Sequence, residues 1–183
     1  MELYLLRHEK RYSSPAYFTS LTEAGLQNAD NLVDTLKKYD FDEIYCSPFL
    51  RTVQTILPYL KYSKKEINIE YSLYESCDDP CFTISNYHNN YSTLYNYIPD
   101  LYQYVNSDYT SYLDRVLFKE TKEEILVRLK NFINKLKQDN NTKKVLFVTH
   151  MSPIKQILKE YAKDEIKFYP PGFLKKVNFI EDK

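Results

Sequence analysis

The sequence predicts an α/β fold: a three-layer α/β/α sandwich with a mostly parallel central sheet and a small cap insertion. Three observations predict it. Short apolar runs at residues 2–6, 43–46 and 145–148 alternate with longer stretches whose apolar residues recur at helical spacing. The last of these runs, Val145-Leu146-Phe147-Val148, is apolar without a break, as a strand covered on both faces has to be. The length, 183 residues, accommodates one domain spanning 1–183 with a full core and a modest insertion.

The elements follow in order. Residues 2–6 form a strand that ends in Arg7-His8. A helix is expected over 22–39, with Leu26, Ala29, Val33 and Leu36 on one face. Ser20 with Glu23 suits a capping box, and Thr22 is an equally good N-cap. Glu43-Ile44-Tyr45-Cys46 is a second strand, and Ser47-Pro48 opens a second helix through Arg51, Val53 and Ile56 that Pro58 weakens near its end. Residues 67–71 alternate as a third strand. Thr121 and Glu124 make a capping box for a helix whose stripe is Ile125, Leu129, Phe132, Ile133 and Leu136. The 145–148 strand ends in Thr149-His150, a helix follows over 152–161, and residues 174–180 suit an edge strand. Residues 76–114 interrupt the alternation. They carry eight tyrosines and five aspartates and no lysine or arginine, and are expected to be a partly helical cap over the site. The spacing of Tyr87, Tyr91 and Tyr95 suits a half-buried helix face as well as it suits ligand contact.

Lysine plus arginine equals aspartate plus glutamate, 25 each, so no global field draws the chain to nucleic acid or to an anionic membrane. No apolar run is long enough to span a bilayer. Residues 1–7 have the pattern of a strand and lack that of a signal peptide, and the three cysteines, Cys46, Cys77 and Cys81, cannot all pair. The expectation is a soluble cytoplasmic protein with reduced thiols. Cys77, Cys81 and His88 lack a clear fourth ligand, so no metal or cofactor is expected there. Cys46 and Arg51 have four residues between them, where the cysteine phosphatases need five, and the loop has no glycine.

In an α/β sheet a ligand sits beyond the C-terminal strand ends, where His8 and His150 both fall. Anion binding in a chain of zero net charge needs a local positive cluster, and Arg7, Arg11 and Arg51 offer planar forks suited to phosphate oxygens. Taken singly, these residues have ordinary readings: Arg7 and Arg11 as surface arginines, Arg51 paired with Glu43, His150 as a satisfied core histidine.

In order along the chain, Leu6-Arg7-His8-Glu9-Lys10-Arg11, Leu21-Thr22-Glu23-Ala24-Gly25, Cys46-Ser47-Pro48-Phe49-Leu50-Arg51-Thr52-Val53-Gln54-Thr55, Glu70-Tyr71-Ser72-Leu73-Tyr74-Glu75 and Val148-Thr149-His150 resemble the motifs of the histidine phosphatase (phosphoglycerate-mutase-like) superfamily. Arg11, three residues after His8, resembles the Arg-His-x-x-Arg form of the tyrosine-phosphatase-like and ecdysteroid-phosphate phosphatases. The resemblance implies a metal-independent phosphatase without cofactor. His8 would carry a phosphohistidine. Arg7, Arg11, Arg51 and His150 would bind phosphate, and Glu75 would be the general acid and base, with Glu70, Asp78 and Asp79 as alternatives. The substrate would be a small-molecule or protein phosphomonoester, and the acid-rich cap predicts a neutral or aromatic remainder. Glu9 and Met151 stand where the family commonly has glycine. The other readings are a mutase-type isomerase and a catalytically impaired phospho-ligand-binding module.

Overall fold

A computed structural model describes residues 1–13, 16–76, 90–116, 120–139, 143–164 and 168–180. Its sheet contains β1 (Glu2–Arg7), β2 (Glu43–Cys46), β3 (Asn68–Ile69), β4 (Lys144–Thr149) and β5 (Leu174–Lys176), in the order β3-β2-β4-β1-β5. The first four strands are mutually parallel, and β5 runs antiparallel to β1 at the edge. The helices are α1 (Glu23–Leu36), α2 (Leu50–Ser63), α3 (Lys122–Asp139) and α4 (Met151–Ala162).

Strand alternation sorts the core into two layers. Tyr4, Leu6, Ile44, Cys46, Leu146 and Val148 pack on one face with Leu36 of α1 and Leu50, Val53, Ile56 and Leu60 of α2. Leu3, Leu5, Tyr45, Val145 and Phe147 pack on the other with Ile125, Leu129, Phe132 and Ile133 of α3 and Ile154, Ile157 and Leu158 of α4. The three-layer α/β/α sandwich with its mostly parallel sheet is therefore observed.

Local chemistry sets the ends. Thr22 caps α1, its hydroxyl accepting from Gly25 N at 3.0 Å. Ser20 is not the cap, and instead hydrogen-bonds the Gln54 side chain. Thr121 and Glu124 exchange hydrogen bonds at 3.2 and 2.7 Å, as a capping box does. The second helix begins at Leu50 and not at Ser47-Pro48, and it runs through Pro58 to Ser63. The third strand is shorter than its alternation suggests. Glu70 caps a 3-10 turn at Tyr71–Leu73, which turns the backbone out of the sheet. The tail strand closes at Lys176.

Within the 76–114 segment, residues 77–89 lie outside the described residues, and with them Cys77, Asp78, Asp79, Cys81, Tyr87 and His88. Tyr91 and Tyr95, expected on a half-buried helix face or in contact with a ligand, lie half-buried against the core on a 3-10 helix, Tyr91–Asn96, and a second 3-10 helix follows over Pro99–Tyr104. The two helices dock beside the sheet through an Ile67–Val105 bridge and through Tyr97, which stacks on Phe18 at 5.0 Å. No described helix is long and apolar enough to cross a membrane.

Candidate active site

Strand order builds the site. β1, β4 and β2 are parallel neighbours, with Arg7 opposite Thr149 and Cys46 opposite Val148. The next residues, His8, His150 and Ser47, therefore leave the sheet side by side. His8 N donates to Thr149 O at 3.0 Å and Ser47 N to Val148 O at 3.0 Å. The two imidazoles meet edge to face, 5.2 Å between centroids, and both are buried.

The hydrogen bonds set the tautomers. His8 Nδ1 lies 2.7 Å from Glu9 O. A carbonyl only accepts, so Nδ1 carries the proton and Nε2 keeps its lone pair. His150 Nε2 lies 2.8 Å from the Ser47 hydroxyl, while Nδ1 is buried with no hydrogen-bond partner among the described residues. Burial, reinforced by the charge of Arg51, holds both imidazoles well below the usual histidine pKa. For His8 the hydrogen bond to the Glu9 carbonyl opposes the shift, and Arg7 and Arg11 add smaller pushes in the same direction as Arg51.

The helix after β2 supplies the rest, and each polar residue of its motif has a separate task. Arg51, fully buried on the first turn of α2, stacks over Phe49 with its guanidinium carbon 4.6 Å from the ring centroid and donates to Ala16 O at 2.9 Å. Phe49 in turn packs against His150 at 4.9 Å. Gln54 accepts from Leu21 N at 2.8 Å and so ties down the loop after His8. Thr55 Oγ1 accepts from Glu9 N at 2.9 Å and so anchors the residue whose carbonyl holds His8. Ser47, Gln54 and Thr55 carried no role in the sequence reading. Their signal lay within the quoted motif, at positions 47, 51 and 54–55, one helical face from the strand end.

Arg7 is half-buried. It donates to Tyr169 O, and its guanidinium carbon lies 5.4 Å from the exposed Phe168 ring. Burial lowers its pKa, and the charge of Glu75 opposes the shift, which places that carboxylate within electrostatic reach. Glu75 Oε1 accepts from Ser152 N at 3.2 Å in the first turn of α4, directly after His150. Arg11 is near enough for its charge to act on Arg7 and His8, but its guanidinium donates to Tyr12 O at 2.7 Å and Ser13 O at 2.6 Å of its own loop. The structure thus brings Arg7, His8, Arg51, Glu75 and His150 together, with Arg11 on the adjoining loop.

The ordinary readings resolve individually. Glu43 is held by Lys143 and by Tyr45 Oη at 2.7 Å, not by Arg51. Glu70 is fully buried and its carboxylate accepts from Ser72 N, Ser111 Oγ, Tyr109 Oη and Tyr112 N, so its lone pairs are spent on structure. Cys46 is fully buried, and burial pushes its thiol pKa far up. No cluster able to hold a metal ion occurs among the described residues. Glu9 has no positive φ, so a glycine is not needed for that backbone. Its buried carboxylate packs on Gly172 (φ 72°), where an added Cβ would lie 2.0 Å from Oε1, and Oε2 accepts from Lys10 N at 3.3 Å and Asn28 Nδ2 at 3.4 Å.

The family model for the histidine phosphatase superfamily (branch 1) matches residues 3–174. Among solved structures, the ecdysone phosphate phosphatase of Bombix mori, in complex with tungstate, superposes with a TM-score of 0.65 at 15% identity, covering 99% of this chain and 92% of that one. The phosphoserine phosphatase of Entamoeba histolytica, with 3-phosphoglyceric acid, gives 0.62 at 17% identity, covering 100% and 98%. The alpha-ribazole phosphatase of Shigella flexneri gives 0.59 at 22% identity, covering 87% and 79%. At these identities the likeness is one of fold. No curated protein matches the sequence.

Proposed function

The chain belongs to the histidine phosphatase superfamily, branch 1, and from that premise we propose that it hydrolyses phosphate monoesters through a phosphohistidine on His8, without a metal ion. The observation that carries this reading is the neutral His8, its proton held on Nδ1 by Glu9 O, beside His150, with Arg7 at the end of β1 and Arg51 on the first turn of α2. Arg7 and Arg51 bind the phosphoryl oxygens and Arg11 adds charge from its loop; His150 Nδ1 donates to a phosphoryl oxygen, a partner it lacks among the described residues. The His8 Nε2 lone pair forms a bond to phosphorus as the bond to the leaving oxygen breaks. Glu75 gives that oxygen its proton. A water then attacks the phosphohistidine, Glu75 takes the water's proton, and the P–N bond electrons return to Nε2.

The remainder of the substrate is neutral or aromatic. The sequence of residues 76–114 has five aspartates and no lysine or arginine, and like charges repel a second anionic group. In a panel, aryl and uncharged alkyl phosphates should outrank bisphosphoglycerate and inositol polyphosphates. A polyanion ranked first would remove this part of the reading, and a coupled mutase assay primed with bisphosphoglycerate reports the isomerase alternative. The deciding experiment incubates wild type and His8→Ala with p-nitrophenyl phosphate in EDTA. Product and acid-labile phosphohistidine are expected from wild type alone. Equal, negligible signals from both proteins would leave only phospho-ligand binding.

A further inference from the structure

Arg128, on the second turn of α3, is buried although no motif of the site includes it. Its Nε donates to both carboxylate oxygens of Glu120, at 2.9 and 3.0 Å, and both side chains are 5% exposed. The other two arms of the fork do not touch Glu120. Nη1 donates to Ser72 O and Nη2 to Tyr74 O at 2.9 Å, while the guanidinium carbon sits 3.7 Å over the Tyr74 ring. The carbonyl between them, Leu73 O, accepts from Thr149 Oγ1 at 2.7 Å. Three successive carbonyls leading to Glu75 are therefore held by side chains, two by Arg128 and one by the residue before His150. A buried ion pair is a weak source of stability compared with apolar residues of the same volume. It is an effective means of fixing geometry, because a guanidinium fork bonds in one plane only.

We infer that Arg128, held by Glu120, is a positioning residue for Glu75: α3 sets the place of the proton donor by gripping the two carbonyls on either side of Leu73. The inference rests on the reading of Glu75 as general acid and extends it to residues about fifty positions away in the chain.

The test uses leaving groups. p-Nitrophenolate departs without a proton, whereas an alkoxide needs one, so a misplaced acid penalises alkyl phosphates selectively. The quantity read is the ratio of kcat/KM on 2-glycerol phosphate to that on p-nitrophenyl phosphate. This ratio cancels the fraction of protein that is folded. Arg128→Met with Glu120→Gln removes the grip without leaving a buried charge unpaired, and should lower the ratio about tenfold or more, in the same direction as Glu75→Gln. Should the double variant not fold, Arg128→Lys keeps the charge against Glu120 but not the fork, and should lower the ratio about threefold or more. An unchanged ratio in a folded Arg128 variant, with a lowered one in Glu75→Gln, overturns the positioning role. An unchanged ratio in Glu75→Gln overturns the reading of Glu75 itself, and the inference with it.

Discussion

Replacing Gly172 with alanine probes which way Glu9 faces. The new Cβ would stand 2.0 Å from Glu9 Oε1 and 3.0 Å from its Cδ, at a backbone φ of 72°. The left-handed conformation costs a residue with a Cβ roughly 1–2 kcal/mol. The carboxylate is the far end of a flexible side chain and can swing away, but it then loses the Lys10 N and Asn28 Nδ2 hydrogen bonds, together worth about 1 kcal/mol. Gly172→Ala should therefore destabilise the protein by about 2–3 kcal/mol, and by only about 1–2 kcal/mol in a Glu9→Ala background, a coupling near 1 kcal/mol. Urea unfolding of the four proteins measures it. Equal costs in both backgrounds would show that the carboxylate does not rest on Gly172. A second arm reads the site directly. A carboxylate aimed at bound phosphate from about 5 Å would oppose each unit charge by roughly 3 kcal/mol at an effective dielectric near 20, so Glu9→Gln would tighten phosphate binding on the order of a hundredfold or more for each unit of phosphate charge. With the carboxylate on Gly172, a change below about threefold is expected in phosphate inhibition.

Three further outcomes are expected. Because burial holds His8 and His150 neutral, the unfolded chain takes up protons that the fold excludes once pH drops below about 6.5, so stability should fall with falling pH by at most about 1.4 kcal/mol per unit for each histidine; a His8→Gln/His150→Gln protein that keeps the full slope between pH 7.5 and 5.5 would refute this. Ser47→Ala leaves the buried His150 Nε2 without its hydroxyl and should lower kcat/KM on p-nitrophenyl phosphate about tenfold while costing about 1–3 kcal/mol in urea unfolding; full activity in the folded variant would assign the histidine's orientation elsewhere. Glu70→Gln sets an amide NH2 among four donors and should cost about 2–4 kcal/mol in urea unfolding, a figure that a loss under about 0.5 kcal/mol would contradict.

What could be read in advance was what repeats locally. The 145–148 run, the stripe from Ile125 to Leu136 and the Thr121–Glu124 box depend on neighbours in sequence, and each has its expected form. The meeting of His8 and His150 was legible because each follows a parallel strand, and such strand ends converge in an α/β sheet. Elements failed where a distant side chain decided. The third strand stops at Ile69 because Glu70 bonds Tyr109, Ser111 and Tyr112 and turns the chain. Arg128 looks like an ordinary polar residue of α3, and nothing near it in sequence announces Ser72 and Tyr74 as its partners. The direction of Arg11 and Glu9 depended on carbonyls and a glycine brought together only by the fold.

The place of β1 in the sheet also has a consequence measured in time. Both of its neighbours come from far along the chain: Glu2 pairs with Lys144, and Leu6 with Leu174. During synthesis at about 5–20 residues per second, β1 waits on the order of ten seconds for its first partner strand. Through that interval Leu3, Tyr4, Leu5 and Leu6 have no sheet to join, and the peptide bearing His8 has no Thr149 carbonyl to bond. The nascent chain therefore carries an apolar segment that a chaperone or another chain can capture, and the pocket forms only once β4 has been made.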